Sequence, residues 1–136
     1  MSVYKMFANG TGGTENSVAS FDVQFDGDIV AILGHLNPVF DANAESCNME
    51  VSFLSSSTFS VNDARGSLFI LGSRLDVITS GGSQGIANNA VSGVRIPVSA
   101  GERIHMHLNA SAGVVSVAQA YLYITDAADE NLRRRR

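Results

Sequence analysis

The sequence predicts an all-β chain folded as a jelly-roll β-sandwich of two antiparallel sheets, and three observations predict it. Apolar and polar residues alternate with a period of two through most segments between Ser17 and Asp126. Clusters of Gly, Asn, Asp and Ser break the chain at short intervals and leave room for seven to nine strands. No window carries a helical apolar stripe, and the stretches 87–91 and 127–132 are too short to hold a helix alone. An immunoglobulin-type sandwich would bring paired cysteines and a core tryptophan, whereas this chain has one cysteine and no tryptophan.

Each element follows in order. The segment 1–8 holds Val3, Tyr4, Met6 and Phe7, and the polar, glycine-rich stretch 9–16 after it has the composition of a flexible tether. Two readings stay open: a first strand with a long loop, or an apolar arm that leaves its own domain and docks on a neighbour through those four residues. The chain is divided accordingly into an arm and tether (1–16), a jelly-roll domain (17–126) and a C-terminal tail (127–136). From Ser17, Phe21, Val23 and Phe25 point inward and Asp22, Gln24 and Asp26 outward. Asp26-Gly27 reads as a tight hairpin, and the run Ile29 to Leu33 after it is apolar on both faces until Asn37-Pro38 stops it.

Residues 41–46 form a polar connection to a strand through Met49, Val51 and Phe53, with weaker strand character at Phe59 and Val61 and a turn at 62–66. Residues 67–79 make one long strand, or two separated at Gly72-Ser73, and 80–83 closes it. The stretch 84–93 reads as a loop or poor strand, and Ile96-Pro97-Val98 as an edge segment, since proline cannot donate to a central ladder. The last region reads as two long strands, 103–109 and 114–124, joined by a small turn at 110–113. In the first, Ile104, Met106 and Leu108 share one face and Arg103, His105, His107 and Asn109 the other. In the second, Val114, Ala118, Ala120, Leu122 and Ile124 oppose Val115, Val117, Gln119, Tyr121 and Tyr123, and both faces are apolar.

Composition bounds the function. A chain of 136 residues, 45% of them apolar, can bury one core without disulfide or metal. Cys47 is the single cysteine, so an intrachain disulfide and a thiolate zinc site are excluded. No run reaches the length of a membrane span and no basic-then-apolar leader opens the chain, so a soluble protein used from its first residue is expected, with no membrane partner. Four of the nine basic residues are the terminal Arg133, Arg134, Arg135 and Arg136, which leaves five in the body against thirteen acidic residues in the chain. Such a body repels phosphate backbones, so nucleic acid is disfavoured as a partner. The arginine tail is a candidate contact for an acidic face of a neighbour.

The chemical constellations are thin. His105-x-His107 places two imidazoles on one side of a strand, where they could share a metal. The pair resembles the first motif of the cupin family, but Gly101 lies too close to the first histidine and residues 109–112 fill the stretch where the glutamate would fall. Two solvent-facing histidines are therefore the preferred reading, with a cupin-like metal enzyme kept as an alternative. No Gly-x-Ser-x-Gly elbow is present, Cys47 has no neighbouring cation, and Asp26 and Asp28 flank a turn without the further oxygens a calcium loop needs. Gly10, Gly12 and Gly13 lack the helix that a phosphate cradle requires. No catalytic residue, metal ligand or cofactor is assigned, and a non-enzymatic protein is expected.

The frame Phe21-Asp22-Val23-Gln24-Phe25-Asp26-Gly27-Asp28-Ile29, together with Ile96 to Ile104 and Ala120-Tyr121-Leu122-Tyr123-Ile124, resembles the small jelly-roll domains of bacteriophage virions, namely capsid decoration or cement proteins and head-fibre modules. The resemblance covers roughly Ser17 to Asp126 and is one of pattern. It implies a capsid-surface protein of the virion that forms a homo-oligomer, with a trimer favoured, and binds the major capsid protein. A carbohydrate- or receptor-binding fibre module shares the same frame. The residues agree in one respect: a two-sheet sandwich buries only one face of each strand, so the spare apolar face of the last strand needs cover. A homo-oligomer interface with Tyr121 and Tyr123 as anchors would supply it.

Overall fold

The computed structural model describes residues 1–55, 67–77 and 83–126, the side chains of 14–16 and 83–84 excepted. The sequence readings at Phe59 and Val61, at the turns 62–66 and 80–82, and at the tail with Arg133 to Arg136 lie outside the described residues. Among the described residues there are seven antiparallel strands: β1 (Ser2–Asp22), β2 (Gly27–Phe40), β3 (Glu45–Ser52), β4 (Ser67–Leu75), β5 (Ser83–Gln84), β6 (Ala87–Val98) and β7 (Arg103–Asp126).

The longest strand, β7, organises the rest. One of its edges pairs with β1 along nearly its whole length, from Ser2 opposite Ile124 to Asp22 opposite Arg103. The other edge pairs with β3 over Ala110 to His105 and with β2 over Val115 to Asp126. The two long strands bend together and pass from one layer to the other. The first layer is thus β4, β3, the first half of β7 and the second half of β1. The second layer is β6, β2, the second half of β7 and the first half of β1, with β5 against the end of β2. At the bend, irregularities compensate: β7 carries extra residues around Gly113 (φ 84°), between the pairs Thr11/Val115 and Gly13/Ala110, and β1 carries extra residues between Glu15 and Ala19.

The core lies between the layers. Ile104, Met106, Leu108, Met49, Val51, Phe69 and Leu71 come from the first, and Met6, Ala8, Ile29, Ile32, Leu36, Ala118, Ala120, Leu122 and Ile124 from the second. Gly34 leaves the space that the Phe69 ring fills, since a Cβ there would lie 2.4 Å from Phe69 Cε1. Leu122 is fully buried, so Leu122→Ala is expected to lower stability by about 2–5 kcal/mol, whereas Ile70→Ala, on a side chain 54% exposed, should stay within about 0.5 kcal/mol. Urea unfolding midpoints check both.

Five expectations give way. Asn37-Pro38 does not stop the strand, since β2 runs through both residues to Phe40, paired with β7. The 1–16 segment belongs to β1, hydrogen-bonded along β7 of its own chain, so its first-strand reading holds in place of the detached arm: Met6 and Ala8 are buried, and the Tyr4 ring stacks on Phe21 at 4.5 Å. Asp26-Gly27 closes no hairpin; β1 and β2 do not pair, and this turn carries the chain from the start of β7 at Arg103 to its end at Asp126. Residues 110–113 make a bend inside β7 and not a turn between strands. The poor strand at 84–93 merges with the Pro97 segment as β6, which pairs with β2 alone among the described strands, so the proline sits at an edge as its missing N–H requires.

Candidate functional site

The two outer faces differ. On the second layer, period-two geometry and the registers place five rows across β1, β7, β2 and β6: Val3–Tyr123–Ala31–Ser92, Lys5–Tyr121–Leu33–Ala90, Phe7–Gln119–His35–Asn88, Asn9–Val117–Asn37 and Thr11–Val115–Val39. Val3, Phe7, Leu33 and Val115 are 53%, 49%, 38% and 50% exposed, and Tyr121 and Tyr123 are half-buried among them. No carboxylate lies in these rows; Asp28, beyond them at the rim, pairs with Arg95 at 3.3 Å. Lys5 is the one formal charge in the rows, and its ammonium sits 5.6 Å from the centre of the Tyr121 ring, a cation–π contact within the chain. Tyr121 donates to Gln119 Oε1 at 3.3 Å, and His35 Nδ1 is hydrogen-bonded to Asn88 Oδ1. A depression of about 350 Å³ opens here, lined by Leu33, His35, Asn88, Ala90 and Tyr121.

On the first layer the outer face is covered over His105, His107 and Glu50, while Ile70 on β4 stays exposed. His107 is fully buried and His105 is 8% exposed, so the expected solvent-facing pair is corrected: the chain after β3 crosses over these side chains, and the β1 bulge closes on them. His107 accepts the Ser17 backbone N–H at Nδ1, 2.8 Å away, and its Nε2 lies 2.8 Å from the Leu54 carbonyl oxygen. Ser17 Oγ lies 2.7 Å from His105 Nδ1. The two rings are 6.0 Å apart and 17° from parallel. Glu50, fully buried, stands opposite His107 in the β3 register and accepts from Ser67 Oγ at 3.1 Å. Since both nitrogens of His107 are taken by protein groups, a metal could be ligated there only by breaking a bond to Ser17 or Leu54. Among the described residues no three His, Cys, Asp or Glu side chains converge on one point. Burial pushes the Cys47 thiol up from its ordinary range, against a hydrogen bond with Ser116.

Of the six residues proposed from sequence as partner contacts, Val3, Phe7, Tyr121 and Tyr123 share the open face, while Met6 is 2% exposed and Tyr4 packs on Phe21 and Phe25 inside the domain. The correction is one of parity: once 2–11 is a strand, alternate residues must turn inward. Val115 lies on the face of Tyr121 and Tyr123, as the alternation in 114–124 has it, whereas the sequence reading missed Leu33 as a member of that face and Ser17 as a partner of the histidines. The two-faced run 29–33 carried a signal for Leu33; nothing local marks Ser17.

No family model matches the chain, and no curated protein matches it in sequence. Among solved structures, the chain is similar to Eiger TNF from S. frugiperda, at 10% identity and a TM-score of 0.50, over 92% of this chain and 93% of that one. The chain is a jelly roll. Two further likenesses are to a structure of infectious bursal disease virus Gx strain (9% identity, TM-score 0.46, 89% of this chain and 32% of that one) and to the T13 IBDV viral particle (10%, 0.42, 90% and 31%). The chain spans about a third of those two viral chains.

Proposed function

We propose that this chain is a non-enzymatic structural protein of a virion, a decoration or cement protein that sits on the capsid surface as a homo-oligomer, trimer favoured, and stabilises a phage capsid by binding the major capsid protein. The observation that carries the reading is the open face of the second layer, where Val3, Phe7, Leu33, Val115, Tyr121 and Tyr123 share five rows that hold no carboxylate. A chain of net charge −4 repels its own copies. Self-association is least opposed where acidic groups are missing, and the one cation in these rows is already met by the Tyr121 ring. Exposed apolar side chains gathered on one side of a sheet favour a protein partner over solvent.

The test is sedimentation velocity on the double variant Tyr121→Ser, Tyr123→Ser. Interface aromatics commonly carry over about 2 kcal/mol each, so the variant should sediment as a monomer while keeping the parent's far-ultraviolet circular dichroism. A variant that sediments like an oligomeric parent places the contact elsewhere, and a parent that is itself monomeric at high concentration rejects the oligomer. Mass spectrometry of purified particles tests the virion location.

A second reading is a carbohydrate- or receptor-binding fibre module, favoured by the depression in which Tyr121 lies beside the His35–Asn88 pair. An aromatic flanked by amide and imidazole groups suits a sugar's apolar face and hydroxyls. Glycan binding that survives in a monomeric Leu33→Ser variant and is lost in Tyr121→Ser would select it.

A further inference from the structure

Ser17 is a non-glycine residue at φ 54°, in the left-handed region, and it occupies the bulge where β1 has extra residues between Glu15 and Ala19. Such a conformation persists when the surroundings over-determine it, and here two imidazoles do so, one at the backbone N–H and one at Oγ. We propose that Ser17, His105 and His107 form an acid-released clasp, which at neutral pH fastens the β1 bulge and the crossing segment 53–55 over the outer face of the first layer.

The argument rests on which groups can donate. A backbone N–H only donates, so His107 Nδ1 presents its lone pair to Ser17. A carbonyl oxygen only accepts, so Nε2 carries the hydrogen and donates to Leu54. Both partners have fixed roles, and the neutral Nε2–H form alone satisfies them. An imidazolium bears hydrogens on both nitrogens; protonation at Nδ1 turns the Ser17 contact into two hydrogens facing each other, and Ser17 must leave. Loss of that bond removes what holds the bulge in its left-handed turn. The apolar side of the same strand, Ile104, Met106 and Leu108, does not titrate, so the opening is confined to the clasp.

The charged and titratable groups around the pair set the direction. From β3, Glu50 stands opposite His107 and offers a counter-charge to an imidazolium, held by Ser67. From β7, Arg103 opposes a second cation; from β1, Asp22 opposes Arg103 through a 2.8 Å ion pair. Burial first, then His107 and Arg103, hold His105 below its ordinary value of 6.5, against the pull of Asp22. A histidine whose pKa is lowered on folding contributes its full stability above 6.5, and that contribution is lost as the pH falls from there through the folded value, because the unfolded chain binds the proton first.

The experiment is amide hydrogen exchange by nuclear magnetic resonance on the full chain at about pH 7.5 and about pH 5, expressed as protection factors so that the intrinsic rate change is removed. Protection at the Ser17 N–H should fall by at least about tenfold on acidification, while the amides of Ile104 and Leu122 keep theirs. In the double variant His105→Gln, His107→Gln, which leaves no titratable ring on Ser17, Ser17 protection should be equal at the two pH values. Should that variant fail to fold, the imidazole nitrogen shifts of the unaltered protein decide: His107 must be the Nε2–H form at the higher pH, and its titration midpoint must coincide with the loss of Ser17 protection. Protection independent of pH, an Nδ1–H form at neutral pH, or loss spread equally over Ile104 and Leu122 overturns the clasp. The Tyr121 and Tyr123 variants should leave all these readings unchanged, so failure here and failure of the oligomer are separate results.

Discussion

Deleting residues 1–9 is expected to abolish cooperative folding. The segment is most of the strand half that pairs with β7 from Val115 to Ile124, and its loss opens the edge of the second layer over those residues. Met6 is 2% exposed and Ala8 6%, and Tyr4 leaves its stack on Phe21. Burying a side chain the size of Met6 or Tyr4 is worth about 1.5–3 kcal/mol, and the ladder bonds and the solvated core face of Leu122 and Ile124 add to the loss. A domain of this size has about 5–15 kcal/mol in all. The truncated chain should therefore show no sigmoidal thermal transition, and its open β7 edge should drive aggregation. A truncation that melts within a few degrees of the parent would restore the detached arm.

The second large effect is expected at Gly27, and it has a steric origin. Gly27 is not in a left-handed turn; it begins β2 opposite Asp126, where an added Cβ would lie 1.9 Å from the Thr125 carbonyl oxygen. That oxygen belongs to the ladder and cannot swing aside as a flexible side chain could. Gly27→Ala must push β2 off the end of β7, next to fully buried Ile29 and Ile124. Overpacking commonly costs about 1–3 kcal/mol, and a backbone obstacle belongs at the upper end, so a loss of about 3 kcal/mol in urea unfolding is expected. Gly101→Ala is a useful contrast: its added Cβ meets nothing within 4 Å, so any loss there reflects only the positive φ of 90°. Equal stability of Gly27→Ala and the parent would show that the strand end moves freely.

Much of the fold was legible because a strand writes its two sides into alternate residues. The burial of Ile104, Met106 and Leu108, and that of Leu122 and Ile124 beneath Tyr121 and Tyr123, follow from parity alone. Parity fails where the ladder slips. Ile29 and Ile32, three apart, are both buried because the register shifts between Ile29 and Ala31. The bend at 110–113 has turn composition, yet β7 continues through it because β1 runs alongside on both sides of the break. Local composition could not report that, and for the same reason the glycine-rich stretch 9–16 read as a tether.

The sequence by itself determined the all-β class, the two faces of most strands and the poverty of catalytic motifs, since these rest on residue types and a period of two. The tertiary structure alone decided which outer face stays open. His105 and His107 before the bend of β7, and Val115, Tyr121 and Tyr123 after it, all stand opposite its core-facing residues, yet His105 and His107 are buried while Val115, Tyr121 and Tyr123 reach the surface. The difference lies in what crosses above them: the β1 bulge at Ser17 and the carbonyl of Leu54 cover the first half of the strand. Those partners are 90 and 53 residues away from His107 along the chain, a separation over which no local pattern carries information.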